Sequence, residues 1–185
     1  MKRERTHDLK TPKAVAEMTD EYNFNITVLG LGNILLGDEG FGVHFVRWFE
    51  ERHAFDESVR IVDGGVLGYL LLDTVTDTRN LIVVDVIKID DEPGSVYRFD
   101  REQVEAHLPP PTSAHEVEFM DVLTKAELMG RLPRTSFVLV VPERIDDMII
   151  EMTPQMTARF QDVERLVLEE LSVLGCLPLG EATHA

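Results

Sequence analysis

The chain has 185 residues, of which 44% are hydrophobic and 28% are charged, a composition typical of one globular domain. Its formal net charge of -16 disfavours binding to nucleic acid, because the phosphate backbone is negative too. The single Cys176 excludes a disulfide framework and a cluster of cysteine metal ligands. No run of about 18 apolar residues predicts a membrane span, and the polar start lacks the apolar segment of a signal peptide, so we expect a cytoplasmic monomer.

Apolar runs alternate with helical spacings along the chain. Strands are predicted at 25–29, 59–62, 80–84, 95–99 (at an edge) and 136–141, and helices at 41–49, 67–75, 115–129 and 154–174. We expect Thr153 to cap the last helix, with Pro154 as its first residue. This alternation predicts an α/β fold with a largely parallel sheet.

One domain is expected at 24–175. Residues 1–23 are expected to form a polar extension with a short helix near 14–21, and Leu177–Ala185 a loose tail within the terminal segment 176–185. Pro109–Pro111 predicts an extended loop.

The segment Val28–Gly42, VLGLGNILLGDEGFG, joins the first predicted strand to the first predicted helix. Its glycines allow close approach of another molecule to the main chain. Asp38 and Glu39 stand where the helix begins, and their charges disfavour a phosphate there. The loop therefore favours a cation.

A nucleotide-binding oxidoreductase is the rival interpretation. Gly30-x-Gly32 after a strand matches the start of the fingerprint G-x-G-x-x-G, and Asp63 after the next strand matches the acidic residue that holds a ribose. Leu35 stands where the third glycine belongs, and the carboxylates repel a pyrophosphate. This interpretation is the less favoured one.

Acidic residues follow several predicted strands. If the first strand lies in the middle of the sheet, Glu39 and Asp85 come from neighbouring strands and converge at its carboxyl edge. His115 stands at the entrance to a helix, from which a side chain reaches back over that edge. Two carboxylates and an imidazole suit Ni, Zn, Mn or Fe.

Each acidic residue also has a purely structural explanation. Asp85 caps the turn before Val86, Glu39 complements a helix dipole, and Asp63 shapes its Asp-Gly-Gly turn. Both explanations stay open for these residues.

The motifs together resemble those of the hydrogenase maturation proteases, endopeptidases that process the large subunit of nickel-iron hydrogenases. Gly30–Gly42 is similar to the family signature G-x-G-N-x-L-x-x-D-[DE]-G-x-G. The similarity continues in one order from about residue 25 to about residue 174, through Asp63-Gly64-Gly65, Asp85 after Leu81–Val84, Ser113-Ala114-His115, Val140–Glu143 and Thr153-Pro154.

The resemblance implies a three-layer α/β sandwich of the phosphorylase/hydrolase-like kind, with a mostly parallel, mixed central sheet flanked by helices. It implies that Glu39, Asp85 and His115 contact nickel that the substrate carries. The partner is then the precursor of the hydrogenase large subunit, which loses a C-terminal extension only after nickel is inserted.

The resemblance leaves the chemistry open. Nickel either polarises the scissile carbonyl or lowers the pKa of a bound water, and Glu39, Asp85 or Asp38 takes the proton. A nonenzymatic nickel-binding or chaperone-like module, which keeps the metal residues but cuts nothing, is the alternative from another class.

Overall fold

The computed structural model describes residues 22–107, 114–145 and 148–181, and for 105–107, 114–116 and 181 it describes the backbone alone. The predicted helix at 14–21 and the loop at Pro109–Pro111 lie outside the described residues. The strands are β1 Phe24–Leu31, β2 His53–Ala54, β3 Val59–Gly65, β4 Thr78–Val86, β5 Val96–Asp100, β6 Arg134–Val140 and β7 Gly180–Glu181. The helices are α1 Phe41–Glu50, α2 Leu72–Thr76, α3 Arg101–His107, α4 Ala114–Leu128, α5 Pro154–Thr157 and α6 Phe160–Val173. None of these described helices has the length and apolar character that crossing a membrane requires.

Five strands form the main sheet in the order β3-β1-β4-β6-β5. The first four run parallel, and β5 runs antiparallel to β6 at the edge. The prediction of a largely parallel sheet is confirmed. The central strand is β4 and β1 lies beside it, so the two strands are neighbours, as convergence of Glu39 and Asp85 requires.

Helices cover both faces of the sheet, which makes three layers. On one face, side chains of β1 and β4 pack against α1 and α6, for example Ile82 near Phe45 and Val167 in one apolar cluster. On the other face, Leu81 belongs to a cluster with α2 and α4. The run Leu81–Val84 is therefore almost wholly buried, as expected of a strand covered on both sides.

The aromatic stripe of α1 forms part of the core, as its spacing predicts. Phe41, Phe45 and Phe49 are fully buried, and Phe41 meets Phe160 of α6 edge to face with ring centroids 5.2 Å apart. These contacts fix α1 against α6 on one side of the sheet.

Three local predictions need correction. Helix α3 was not predicted, because its sequence Arg101–His107 is short and polar. The last helix is divided after Thr157, where the amide of Arg159 bonds the carbonyl of Met156 in a tighter turn, at 2.9 Å. It ends at Val173, one residue before the predicted end, and Gly175 follows with a φ of +80°, a conformation that commonly terminates a helix.

The C-terminal segment is not wholly loose. The amide of Leu179 donates to the carbonyl of Ala54 at 2.7 Å, and Gly180–Glu181 pairs antiparallel with His53–Ala54. Cys176 is buried in the core that α1 and α6 share. The partner strand lies far away in the chain, so local sequence does not reveal the pairing.

Two glycines of the first loop region bring α1 onto the sheet backbone. A Cβ on Gly30 would lie 2.2 Å from the Gly42 carbonyl oxygen, and one on Gly42 would lie 2.1 Å from the carbonyl oxygen of Val84. The close approach that these glycines allow is therefore made by the chain itself. It sets the start of α1 directly above the ends of β1 and β4.

Candidate functional site

The candidate site lies at the edge of the sheet where its parallel strands end. Gly30 of β1 pairs with Val84 of β4, so both strands end at about the same level. The chain then passes from β1 into a 3-10 turn, Gly37–Gly40, which lies against β4. The structure thus brings Glu39 and Asp85 to one edge, in adjacent segments.

Glu39 is held by its backbone and almost buried, with 5% of its surface exposed. Its amide donates to the carbonyl of Leu36 at 3.2 Å. A Cβ on Gly32, where φ is +132°, would lie 1.9 Å from the Glu39 carbonyl oxygen, so only glycine fits beneath this turn. The position of Glu39 is therefore fixed by the loop around it.

Lys88, which sequence analysis did not single out, lies beside this carboxylate. Its ammonium nitrogen is 4.0 Å from Glu39 Oε1. A buried carboxylate is costly without a compensating cation, and Lys88 supplies one. In the sequence, the signal for this role was that Lys88 is a basic residue shortly after Asp85, where the chain leaves the same sheet edge.

Asp85 is the penultimate residue of β4 and is also 5% exposed. One of its carboxylate oxygens, Oδ1, accepts a hydrogen bond from the amide of Val86 at 2.7 Å. This is the local structural role that the sequence allowed for Asp85. It engages Oδ1 and is compatible with a further role at the site.

Asp38 is fully buried and holds a distant loop. Its Oδ1 accepts from the amide of Thr153 at 2.7 Å, and its Oδ2 accepts from the amides of Glu143 and Arg144 at 3.2 and 2.9 Å. The Thr153 hydroxyl also donates to Oδ2, at 3.1 Å. These bonds fasten both ends of the loop between β6 and α5 to the turn that carries Glu39.

Thr153 occupies the predicted N-cap position, although its side chain makes no capping hydrogen bond. Thr153 does precede α5 with extended backbone angles, and Pro154 is the first helical residue. Its hydroxyl accepts no capping bond from the helix and instead donates to the Asp38 carboxylate.

His115 is the second residue of α4, and its side chain lies outside the described part of the structure. Glu118, one turn later, packs on Gly68, where an added Cβ would lie 1.8 Å from Glu118 Oε2. Since Gly68 follows the end of β3, the part of α4 around Glu118 lies towards the edge that carries Glu39 and Asp85. Among the side chains that are described, no three of His, Cys, Asp or Glu form a group able to hold a metal ion. A ligand set completed by His115 stays a prediction.

Asp63 is engaged elsewhere. Its Oδ2 accepts from Arg47 Nε at 2.9 Å, and the two side chains are 36% and 52% exposed. This surface pair links β3 to α1. It gives Asp63 a structural partner in place of the ribose that the rival interpretation requires.

His44, which sequence analysis did not single out, is a half-buried polar residue of α1. Its Nε2 is buried and has no hydrogen-bond partner in the described part of the structure. Burial lowers the pKa of the imidazole, the Arg47 guanidinium lowers it further, and Asp63 opposes both effects. In the sequence, the available signal was that His44 lies in the first turn of α1, four residues after Gly40.

Comparison with known proteins agrees with this architecture. The profile of the family described as hydrogenase maturation protease matches residues 43–170. The hydrogenase 2 maturation protease of Escherichia coli is 34% identical over 162 residues, which cover 86% of this chain and 98% of that protein. A hydrogenase expression/formation protein of Azotobacter vinelandii is 34% identical over 153 residues, covering 82% of this chain and 74% of its own.

Solved structures lead to the same family. The hydrogenase maturating endopeptidase of Escherichia coli superposes with a TM-score of 0.80 at 32% identity, covering 85% of this chain and 98% of that one. A [NiFe] hydrogenase maturation protease of Thermococcus kodakarensis gives a TM-score of 0.64 at 25% identity, covering 80% and 99%. The chain is a peptide-bond hydrolase and belongs to the hydrogenase maturation protease family.

Proposed function

We propose that this protein removes the C-terminal extension from the precursor of a nickel-iron hydrogenase large subunit after nickel has been inserted. The observation that carries the proposal is the pair of nearly buried carboxylates, Glu39 and Asp85, at one edge of the sheet. Buried carboxylates of adjacent loops suit a divalent cation, and the family supplies the peptidase activity.

In this proposal, nickel belongs to the substrate. Glu39, Asp85 and His115 contact it, and the remaining coordination positions stay with the groups that hold it in the precursor. Because only three residues of the protease take part, the metal leaves with the processed subunit. The protease therefore recognises the cleavage site of the precursor only when nickel lies beside that site.

Hydrolysis adds water across the peptide bond. A carboxylate accepts a proton from the attacking water, the new C–O bond forms, and the C–N bond breaks as the leaving nitrogen takes up a proton. We assign the proton transfer to Glu39 or Asp85. Asp38 is better suited to positioning, since its two oxygens already accept four hydrogen bonds from Glu143, Arg144 and Thr153.

Lys88 fits this scheme as a counter-charge. At 4.0 Å it partly offsets the Glu39 carboxylate while no metal is bound. When substrate nickel approaches, it takes over this role, and Lys88, which is 31% exposed, is able to turn towards solvent.

The test is the mass of a nickel-loaded precursor after incubation with the protein. We expect wild type to remove a C-terminal fragment, and Glu39→Gln, Asp85→Asn and His115→Ala each to slow this by about a hundredfold or more. His107→Ala is the matched control and should leave the rate unchanged. Binding of the precursor without any loss of mass would instead favour the nonenzymatic alternative.

A further inference from the structure

Exposed apolar side chains gather around the candidate site. In the described part of the chain, the loops after β1, β3 and β6 expose large apolar side chains at the carboxyl edge of the sheet. Leu70 is 78% and Met148 85% exposed. We name the following set the apolar rim: Leu35, Val66, Leu67, Leu70, Met148 and Ile150.

The three loops that carry the rim touch one another. The Gly32 amide donates to the Gly65 carbonyl at 3.0 Å, which joins the β1 loop to the end of β3. On the other side, a Cβ on Gly37 would lie 3.3 Å from the carbonyl oxygen of Ile149. The rim is therefore borne by one continuous set of loops around Glu39.

The rim is also held in shape by polar bonds. Asn33 Oδ1 accepts from the amide of Leu35 at 3.0 Å and so turns the chain just where that leucine is exposed. Asp38 fastens both ends of the loop that carries Met148 and Ile150. Apolar groups displayed on fixed loops lose little conformational entropy on binding, which is the property of a preformed docking surface.

Charge limits what covers this surface. A second copy of the chain would bring another net charge of -16 to the contact, which opposes self-association. The substrate, by contrast, has to approach Glu39 and Asp85, which lie at the same sheet edge as the rim. We propose that the apolar rim binds an apolar segment of the hydrogenase precursor next to the bond that is cut. This inference rests on the proposed function.

The chain offers matched controls at the opposite edge. Leu128 is the last residue of α4 and Met129 follows it, before β6 begins, and they are 84% and 56% exposed. The test compares Leu70→Ser and Met148→Ser with Leu128→Ser and Met129→Ser in cleavage of the nickel-loaded precursor. All four changes affect exposed positions, and thermal melting checks that each variant is folded.

We expect each rim variant to raise KM about tenfold, as lost burial of one large apolar side chain predicts, with kcat unchanged. The two control variants should keep the wild-type KM. Equal KM values in rim and control variants would overturn the inference, and so would a dimer in sedimentation equilibrium that Leu70→Ser dissociates.

Direct binding separates this inference from the proposed function. Precursor is passed over immobilised protein, and the Kd is measured whether or not cleavage occurs. A Kd weakened about tenfold by Leu70→Ser but not by Leu128→Ser supports the rim even if no peptide is cut. If both variants have the same Kd and cleavage is intact, the inference that the rim binds the precursor is wrong, while the proposed function is unaffected.

Discussion

Asp38 and Glu39 are adjacent in sequence and have different surroundings in the fold. Asp38 is fully enclosed by donors from residues beyond β6, whereas Glu39 lies beside the Lys88 ammonium at the sheet edge. From sequence, both carboxylates are equal candidates for proton transfer. The difference depends on donors more than a hundred positions later in the chain, such as Arg144 and Thr153, which no local pattern reveals.

Replacing Asp38 by Asn tests its structural role. The amide would turn an N–H group towards backbone donors, so at least one buried donor would lose its acceptor. We expect Asp38→Asn to lower the free energy of unfolding by about 2–3 kcal/mol. The measurement is urea unfolding, with Asp63→Asn, which removes an exposed ion pair worth less than about 1 kcal/mol, as the control. Equal losses in the two variants would contradict the assignment.

His44 makes stability depend on pH. Burial lowers the pKa of its imidazole in the folded state, while the unfolded imidazole titrates near its ordinary value of about 6.5. Below about pH 6.5 the unfolded state therefore binds more protons, and the free energy of unfolding falls until the folded-state pKa is reached. When the pH is lowered from about 7.5 to about 5.5, the urea midpoint should decrease in both proteins. We expect the decrease to be smaller in His44→Gln than in wild type. Parallel decreases would show that His44 contributes nothing.

At the scale of elements, sequence predicted the strands well and the local contacts poorly. Runs such as Leu81–Val84 are apolar because both faces of the sheet are covered, so they are visible without a structure. Helix α3 lacks an apolar periodicity, and β7 exists only through its pairing with β2. Elements defined by distant partners are the ones that were missed or misjudged.

The contact between α1 and the sheet depends on glycine. A side chain at Gly42 would meet the backbone oxygens of Val84 and Leu31 at 2.1 and 2.4 Å, where nothing flexible is able to move away. We expect Gly42→Ala to reduce the free energy of unfolding by about 3 kcal/mol or more. In Gly130→Ala the new methyl group meets open space, and only the φ of +68° is unfavourable, at about 1 kcal/mol. The measurement is urea unfolding of both variants. Similar losses of unfolding free energy in Gly42→Ala and Gly130→Ala would argue against tight packing at Gly42.

At the scale of the whole molecule, the sheet topology places the site. Adjacency of β1 and β4 brings Glu39 and Asp85 to one edge, with β4 as the central strand. Sequence motifs located these two residues because they follow strand ends. They did not reveal Lys88, the anchoring of the β6 loop or the exposed rim, all of which arise where separate loops meet.

The acidic surface and the apolar rim have separate tasks in this account. In the proposal, the net charge of -16 opposes self-association, while the rim offers exposed apolar side chains at the sheet edge that carries the carboxylates. In the proposed function, the rim selects the precursor and the carboxylates sense its cation. Cleavage should therefore depend on nickel in the precursor.

The most direct measurement compares nickel-loaded and nickel-free precursor in parallel with the same protein, by intact mass. We predict loss of the C-terminal extension from the nickel-loaded precursor alone, and no loss from either form with Glu39→Gln. Adding nickel to the protease before mixing should not replace nickel in the substrate. Equal processing of the two precursors by the wild-type protein would contradict the account.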